Sequence, residues 1–128
     1  MSNWFITASR LWLEPLYEKL KVQLLKESVL HADETTLKVL RTKDKPTPGK
    51  SYMWLYRTSG CTEKPIVLYD HQPNRKADNA ESFLESFKGY LHTDGYKGYR
   101  GIDGVTVVGC WAHARQRFCE ALEAIPEA

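Results

Sequence analysis

The hydrophobic positions near the start of the chain follow a helical period. In the segment 3–27, three leucines recur at every fourth position: Leu16, Leu20 and Leu24. This spacing places them on one face of a helix, with Tyr17 beside them, so we expect that face to dock on the rest of the protein. Pro15 stands where it can be the first residue of this helix, which predicts two short helices rather than one.

The period then shortens to two, which is typical of strands. Residues 28–40 alternate as a half-buried strand does, with Asp33 in the middle, and short runs of aromatic and branched residues at 52–57 and 65–69 predict two more strands. Short connections between them favour an antiparallel meander. Residues 41–50 combine prolines, a glycine and several basic side chains, so we expect an exposed loop there.

The second half of the chain alternates helices with strands. It predicts, in order, a helix over 78–87 capped by Asp78 or Asn79, a strand over 90–93 that ends at Asp94, glycine-rich turns, a strand over 105–108, and a helix over 111–125 that Pro126 stops. The whole order predicts an α/β fold with a mixed sheet, in which three antiparallel strands are followed by two parallel strands, and with flanking helices. This is the element order of a ribonuclease H-like core.

Composition changes this picture little. The 128 residues are 42% hydrophobic and 27% charged, which is ordinary for one globular domain, and no apolar run is long enough to span a membrane. The start of the chain lacks the build of a signal peptide, so we expect a cytoplasmic protein without a membrane partner. A net charge of +2 does not by itself indicate nucleic acid. Three cysteines at irregular spacing fit reduced thiols better than a disulfide framework.

Asp33 and Asp94 are the first candidates for chemistry. If the strands that carry them are parallel neighbours, both side chains emerge at one edge of the sheet, where ligands of open α/β sheets bind. Two carboxylates offer the hard oxygen ligands that Mg²⁺ requires, and a pair of such ions can drive phosphoryl transfer. The alternative is that each aspartate only begins a turn, as aspartate before glycine often does.

Longer stretches of sequence around these aspartates resemble a known family. The stretches HADETTLKVL, SYMWLYR, PIVLYD, YLHTDGYKGY and GCWAHARQRF occur in this order. Together they resemble the transposases of the insertion sequence 66 family, which belong to bacterial mobile elements, over essentially the whole chain. The resemblance implies a DDE-type catalytic core that cuts DNA ends and joins them to a target. It also implies Asp33 as the first acid, Asp94 as the second, and Mg²⁺ or Mn²⁺ in a two-metal site.

By the same resemblance, the third acid is a glutamate well downstream of the CWAHAR segment, outside this sequence. We therefore expect residues 1–27 to be a helical segment that leads into a core, 28–128, which is incomplete at its C-terminus and inactive alone. Within the chain, Glu120 is the candidate for the third acid, although a solvated charge on the last helix is the simpler interpretation. Apolar faces left uncovered on such a core predict self-association.

Four further residues lie close to the aspartates in the sequence and are candidates for a supporting or structural role: His31, His92, Cys110 and His113. Each of the first two precedes an acid by two positions and shares its strand face, so it can hydrogen-bond the acid unless it is only a buried histidine. The other two have the spacing of half a zinc site, although packing and hydrogen bonding at the helix start is the simpler interpretation.

Basic residues in the turns and on the last helix, several of them interleaved with aromatic ones, form a candidate DNA-contacting rim. They are Arg75, Lys76, Lys97, Arg100, Arg115 and Arg117. Such charges contact phosphates in nucleic-acid-binding proteins, but elsewhere they face only water. The sequence thus leaves three hypotheses: a transposase-core fragment, a catalytically dead remnant that binds DNA or a protein, and a small zinc module.

Overall fold

The computed structural model describes residues 3–39 and 49–124, which form helices around one sheet. The helices are α1 (Asn3–Ala8), α2 (Glu14–Leu24), α3 (Ala77–Leu84) and α4 (Trp111–Glu123), with a π-helical segment at Ser9–Leu13 and a 3₁₀ turn at Lys97–Tyr99. The strands are β1 (Val29–Val39), β2 (Gly49–Thr58), β3 (Val67–Gln72), β4 (Gly89–Thr93) and β5 (Val105–Gly109).

The sheet has five strands in the order β3-β2-β1-β4-β5. The first three strands form an antiparallel meander, while β4 and β5 run parallel to β1. In β1, Asp33 lies opposite Leu55 of β2, and His31 lies opposite His92 of β4. The predicted mixed sheet of three antiparallel strands followed by two parallel strands is therefore confirmed.

One face of this sheet carries the hydrophobic core. Trp54 and Tyr56 of β2 and Leu91 of β4 are fully buried there. The ring of Tyr56 stacks on that of Phe83 with centroids 3.8 Å apart, which fastens α3 to the sheet. Because α3 leads directly into β4, this packing also fixes the strand that ends beside Asp94.

The opposite face of the sheet is open in the part of the chain that the structure describes. Val67 and Tyr69 of β3 and Tyr90 of β4 are exposed apolar side chains on that face. Helix α4 follows β5 and buries none of its residues; its Trp111 is 86% exposed and its Phe118 is 74% exposed. Large apolar surfaces therefore face outward beside the site described below.

The N-terminal segment corrects one prediction. It is helical without a break from Asn3 to Leu24: the π-helical segment Ser9–Leu13 continues directly into α2, and Pro15, which has no N–H to donate, is the second residue of α2. Leu24 is buried and the Tyr17 hydroxyl donates to the Tyr69 carbonyl at 3.1 Å, but Leu16 and Leu20 are exposed. Of the predicted docking face, only the part formed by Tyr17 and Leu24 packs on the rest of the described chain.

Several predicted boundaries move. Helix α3 begins at Ala77, and neither Asp78 nor Asn79 caps it; the Asn79 amide instead donates to the Asn74 carbonyl at 2.9 Å. It ends three residues earlier than expected, at Leu84. Of the predicted loop 41–50, residues 41–48 lie outside the described part, as does the stop at Pro126, and the last two loop residues already belong to β2. No helix in the described part is long and apolar enough to cross a membrane.

Candidate active-site groove

An open groove of about 220 Å³ lies where β1, β2 and β4 meet the start of α4. It is lined by His31, Ala32, Asp33, Leu55, Arg57, His92, Asp94, Cys110 and His113. Both predicted acids and all four predicted supporting residues are therefore brought together. Pairing of β1 with β4 stops at His31 and His92, so Asp33 follows the last paired residue of β1 although it is in the middle of its own strand.

Backbone amides orient the two aspartates. The N–H of Glu34 donates to Asp33 Oδ1, and the N–H of Tyr96 donates to Asp94 Oδ1, each at 2.9 Å. Gly95 adopts a φ of 95°, and its N–H donates to the Thr93 hydroxyl at 3.1 Å. Asp94 thus begins a turn, as the alternative interpretation holds, and at the same time its carboxylate lines the groove.

The two histidines lie side by side in the groove. The ring centroids of His31 and His92 are 4.6 Å apart at an angle of 55°. Burial lowers the pKa of His31, and the positive charge of Arg57 and the neighbouring His92 lower it further. A neutral His31 can both donate and accept a hydrogen bond, which suits a residue that supports a carboxylate or an incoming phosphate.

Cys110 and His113 stand at the mouth of the groove. Cys110 precedes α4, where its N–H donates to the Thr93 carbonyl at 3.1 Å and its carbonyl accepts from Ala114 at 3.0 Å. Hydrogen bonds from the backbone and the side chain of His113 lower the pKa of the Cys110 thiol. The pair therefore joins the end of β4 to the start of α4.

Arg57 is a groove residue that the sequence did not single out. It lies opposite His31 in the antiparallel pairing of β1 with β2 and is half-buried. The alternation of β2 shows only that Arg57 shares a face with Leu55, while the register that brings it beside the histidines depends on pairing with a distant segment. It places a positive charge within a groove that holds two acids.

Glu34, the residue after Asp33, lies on the opposite face of β1. Its side chain points away from the groove, is only 1% exposed, and forms an ion pair with Arg75. Its Oε2 accepts a hydrogen bond from the Tyr99 hydroxyl at 2.7 Å. Burial raises the pKa of Glu34, and the hydrogen bonds from Tyr99 and Arg75 oppose that rise.

The remaining candidates lie elsewhere. Glu120 is exposed on α4, where it accepts a hydrogen bond from Gln116 at 2.8 Å, and it does not line the groove. All six predicted rim residues are exposed and lie outside the groove: Arg75, Lys76, Lys97, Arg100, Arg115 and Arg117. Arg75 differs from the others, because its guanidinium is held by Glu34 and lies 3.9 Å above the ring centroid of Tyr96.

The donor chemistry of the groove fits Mg²⁺ or Mn²⁺. Asp33 and Asp94 supply carboxylate oxygens, which these ions prefer, and the open groove leaves room for substrate oxygens and water. Within residues 3–39 and 49–124, no group of three or more His, Cys, Asp or Glu side chains is placed to hold a metal ion. The two aspartates are thus a partial ligand set.

The two acids share one groove at the end of a parallel strand pair, which is the edge where open α/β sheets usually bind ligands. Residues 1–128 match the family described as Transposase IS66 family, and the chain belongs to this family. The family is of the DDE type, which in general depends on divalent metal ions. No solved structure matches the chain significantly.

Two curated relatives come from Sinorhizobium fredii, and both are named as uncharacterized proteins. The relative y4qI is 35% identical over 101 residues, which cover 68% of this chain and 19% of the relative. The relative y4jD is 31% identical over 125 residues, which cover 88% of this chain and 24% of the relative. The chain therefore spans about a fifth to a quarter of the length of these relatives.

Proposed function

We propose that this chain is part of the catalytic core of a DNA transposase, in which Asp33 and Asp94 hold Mg²⁺ or Mn²⁺ for DNA cleavage and strand transfer. The observation that carries the proposal is the single groove that both acids line, next to the parallel pairing of β1 with β4. The strand order of the sheet and the position of α3 between β3 and β4 support a ribonuclease H-like fold.

The groove residues have different roles in the proposed phosphoryl transfer. A bound metal ion supplies the positive charge that activates an attacking hydroxyl and stabilises the leaving oxygen. Asp33 and Asp94 hold that charge in place, with their carboxylates oriented by backbone N–H groups. Arg57 binds a non-bridging phosphate oxygen of the DNA, and His31 donates a hydrogen bond at the same edge.

The third carboxylate comes from a part of the full-length protein outside this chain, so the chain alone lacks a complete two-metal site. The small share of its relatives that the chain spans supports this proposal. Glu120 is less suited, because it lies on an exposed helix away from the groove. The basic residues of α4, Arg115 and Arg117, contact DNA phosphates beside the groove.

We also propose that the isolated chain self-associates. Large apolar side chains are exposed on the open sheet face and on α4, and exposed apolar patches are typical of surfaces that associate. Light scattering at increasing protein concentration tests this proposal. A mass that stays at one chain over the whole range contradicts it.

The metal proposal is tested with Mn²⁺ titrations followed by electron paramagnetic resonance. Wild type binds Mn²⁺ with a Kd on the order of 1 mM, as expected for a site with few carboxylates. Asp33→Asn and Asp94→Asn each weaken binding by about 10-fold or more, because each removes a charged ligand. Asp103→Asn is the matched control, since Asp103 is exposed and does not line the groove.

The same titrations separate the transposase core from a remnant that only binds DNA. If wild type binds no Mn²⁺, or if all three Asn variants behave alike, the proposed metal site is wrong. A remnant then still binds a DNA duplex, with an affinity that falls as salt rises. Glu120→Gln adds a further comparison, and we expect it to leave Mn²⁺ affinity unchanged.

A further inference from the structure

The face of β1 opposite the groove contains an ion pair that the metal proposal does not use, between the buried carboxylate of Glu34 and the partly exposed guanidinium of Arg75. Glu34 Oε1 accepts from the Arg75 Nε at 2.8 Å and also pairs with Nη2 of the same guanidinium. The partner oxygen, Oε2, is held by Tyr99. A carboxylate that is 1% exposed needs such partners, because an unpaired buried charge is strongly unfavourable.

Arg75 also holds the loop that follows β4. Its guanidinium lies over the ring of Tyr96, with 3.9 Å from the Arg75 Cζ to the ring centroid. The Tyr96 hydroxyl donates a hydrogen bond back to the Arg75 carbonyl. Tyr96 packs further on Trp54 and Tyr99, with centroid distances of 6.2 and 5.7 Å. One arginine, located between β3 and α3, thus connects strand β1 with the loop after β4.

The two residues that Arg75 joins are the ones that orient the aspartates. The N–H of Glu34 donates to Asp33, and the N–H of Tyr96 donates to Asp94. These two bonds lie in different segments, and no hydrogen bond within β1 or β4 couples them. Two side chains connect the segments: Arg75, which contacts Glu34 and Tyr96, and Tyr99, whose hydroxyl donates to Glu34 and whose ring packs on that of Tyr96.

We infer that Arg75 is a positioning residue, which clamps Glu34 to Tyr96 and thereby sets the orientation of the Asp33 and Asp94 carboxylates relative to each other. The inference rests on the proposed function for its purpose, since it takes the two aspartates as metal ligands. It assigns Arg75 a different task from the other exposed basic residues, because a guanidinium held by a carboxylate and an aromatic ring is not free to neutralise a DNA phosphate.

The test compares Arg75→Lys with Arg100→Lys in the 128-residue chain. Lysine keeps the charge at position 75 but lacks the planar fork that holds Glu34 and stacks on Tyr96. Arg100 is exposed in the same region, so the same chemical change there is the matched control. Arg75→Lys should weaken Mn²⁺ binding by about 10-fold, as the loss of residues that orient metal ligands does elsewhere, and Arg100→Lys should not.

A second measurement needs no metal. Amide hydrogen exchange of the metal-free protein, followed by NMR, should show faster exchange at Tyr96 in Arg75→Lys, with no change at Leu68 in the core. A purely structural loss of stability would accelerate both amides together. If Arg75→Lys is poorly folded, Tyr96→Leu takes its place, because it removes the stacked ring and leaves the Glu34 ion pair intact.

The outcomes keep the two proposals apart. An unchanged Tyr96 amide in Arg75→Lys overturns the clamp, whatever the metal does. A wild type that binds no Mn²⁺ overturns the metal site, while the amide result still decides the clamp. If Arg75→Lys leaves the Tyr96 amide and Mn²⁺ affinity unchanged but alters the salt dependence of DNA binding, Arg75 is a DNA contact and the inference is wrong.

Discussion

The turn after Asp94 depends on the backbone conformation of Gly95, and substitution of Gly95 tests this dependence. Its φ of 95° lies in a region that L side chains rarely adopt, whereas a Cβ built on it meets no atom within 4 Å. Replacement by alanine therefore introduces conformational strain without a steric clash. We expect Gly95→Ala to reduce the free energy of unfolding by about 1 to 2 kcal/mol, the cost of a left-handed conformation for an L residue.

Gly60 provides the matched control. A Cβ there also meets nothing within 4 Å, and its φ is not positive, so alanine fits its native conformation. Gly60→Ala should raise the free energy of unfolding by about 0.4 to 1 kcal/mol, because alanine restricts the unfolded chain. Both substitutions replace glycine by alanine, and they should change the free energy of unfolding in opposite directions.

Urea unfolding followed by circular dichroism measures both effects, and thermal unfolding should agree with a shift of about 4 °C per kcal/mol. Gly95→Asn should recover part of the loss, since asparagine tolerates a positive φ better than alanine. The reasoning is refuted if Gly95→Ala and Gly60→Ala change the unfolding free energy by the same amount.

Strain at Gly95 should also disturb the hydrogen bond from the Tyr96 N–H to the Asp94 carboxylate. Gly95→Ala should therefore weaken Mn²⁺ binding, and Gly60→Ala should not.

Two further predictions concern groups whose ionisation the fold alters. Burial, with Asp70 and Glu18, raises the pKa of Tyr17 to about 12. Tyr17→Phe should therefore lose about 1 kcal/mol at pH 7 by losing the hydrogen bond to Tyr69. Between about pH 10 and 12 the Tyr17 hydroxyl ionises in the unfolded state and not in the folded state, so wild type loses more stability than Tyr17→Phe. Its stability advantage over Tyr17→Phe in urea unfolding should therefore shrink as pH rises; an advantage that grows contradicts the assignment. For Cys110, hydrogen bonds from the backbone and then the side chain of His113 lower the thiol pKa, and His113→Ala removes only the side-chain bond, so it should slow alkylation by iodoacetamide at pH 7. Mass spectrometry with Cys61 as internal reference measures this, and an unchanged ratio of the two rates contradicts it.

Much of the sheet is predictable from the sequence because its signals are local. The alternation in β1 and the short apolar runs of β2 and β3 give the meander, and the helix between β3 and β4 requires a crossover to a parallel strand. The same alternation places Asp33 and His31 on one face. That both acids line one groove follows from the parallel pairing, which the element order already favours.

The features that the sequence does not reveal depend on distant partners. The alternation of β1 puts Glu34 on the face opposite Asp33, but its contacts depend on Arg75, 41 positions away, and on Tyr99, 65 positions away. Periodicity contains no information on such pairs. The prediction that the leucine face of α2 docks on the rest of the protein is wrong in part for a related reason. Leu16 and Leu20 have the right spacing, but both are exposed in the described part of the chain.

Asp33 and Glu34 are consecutive acids whose side chains fall on opposite faces of β1, and the long pairing of β1 with β2 decides which of them enters the groove. Loss of a single residue from β1 ahead of Asp33 would turn the strand over and exchange the two. Glu34 would then take the position of Asp33 in the groove, and Asp33 would take the position of Ala32 on the core face, with almost no change in composition or charge. Natural variation in this strand should therefore take the form of substitutions, and single-codon insertions or deletions should be eliminated even where the chain still folds.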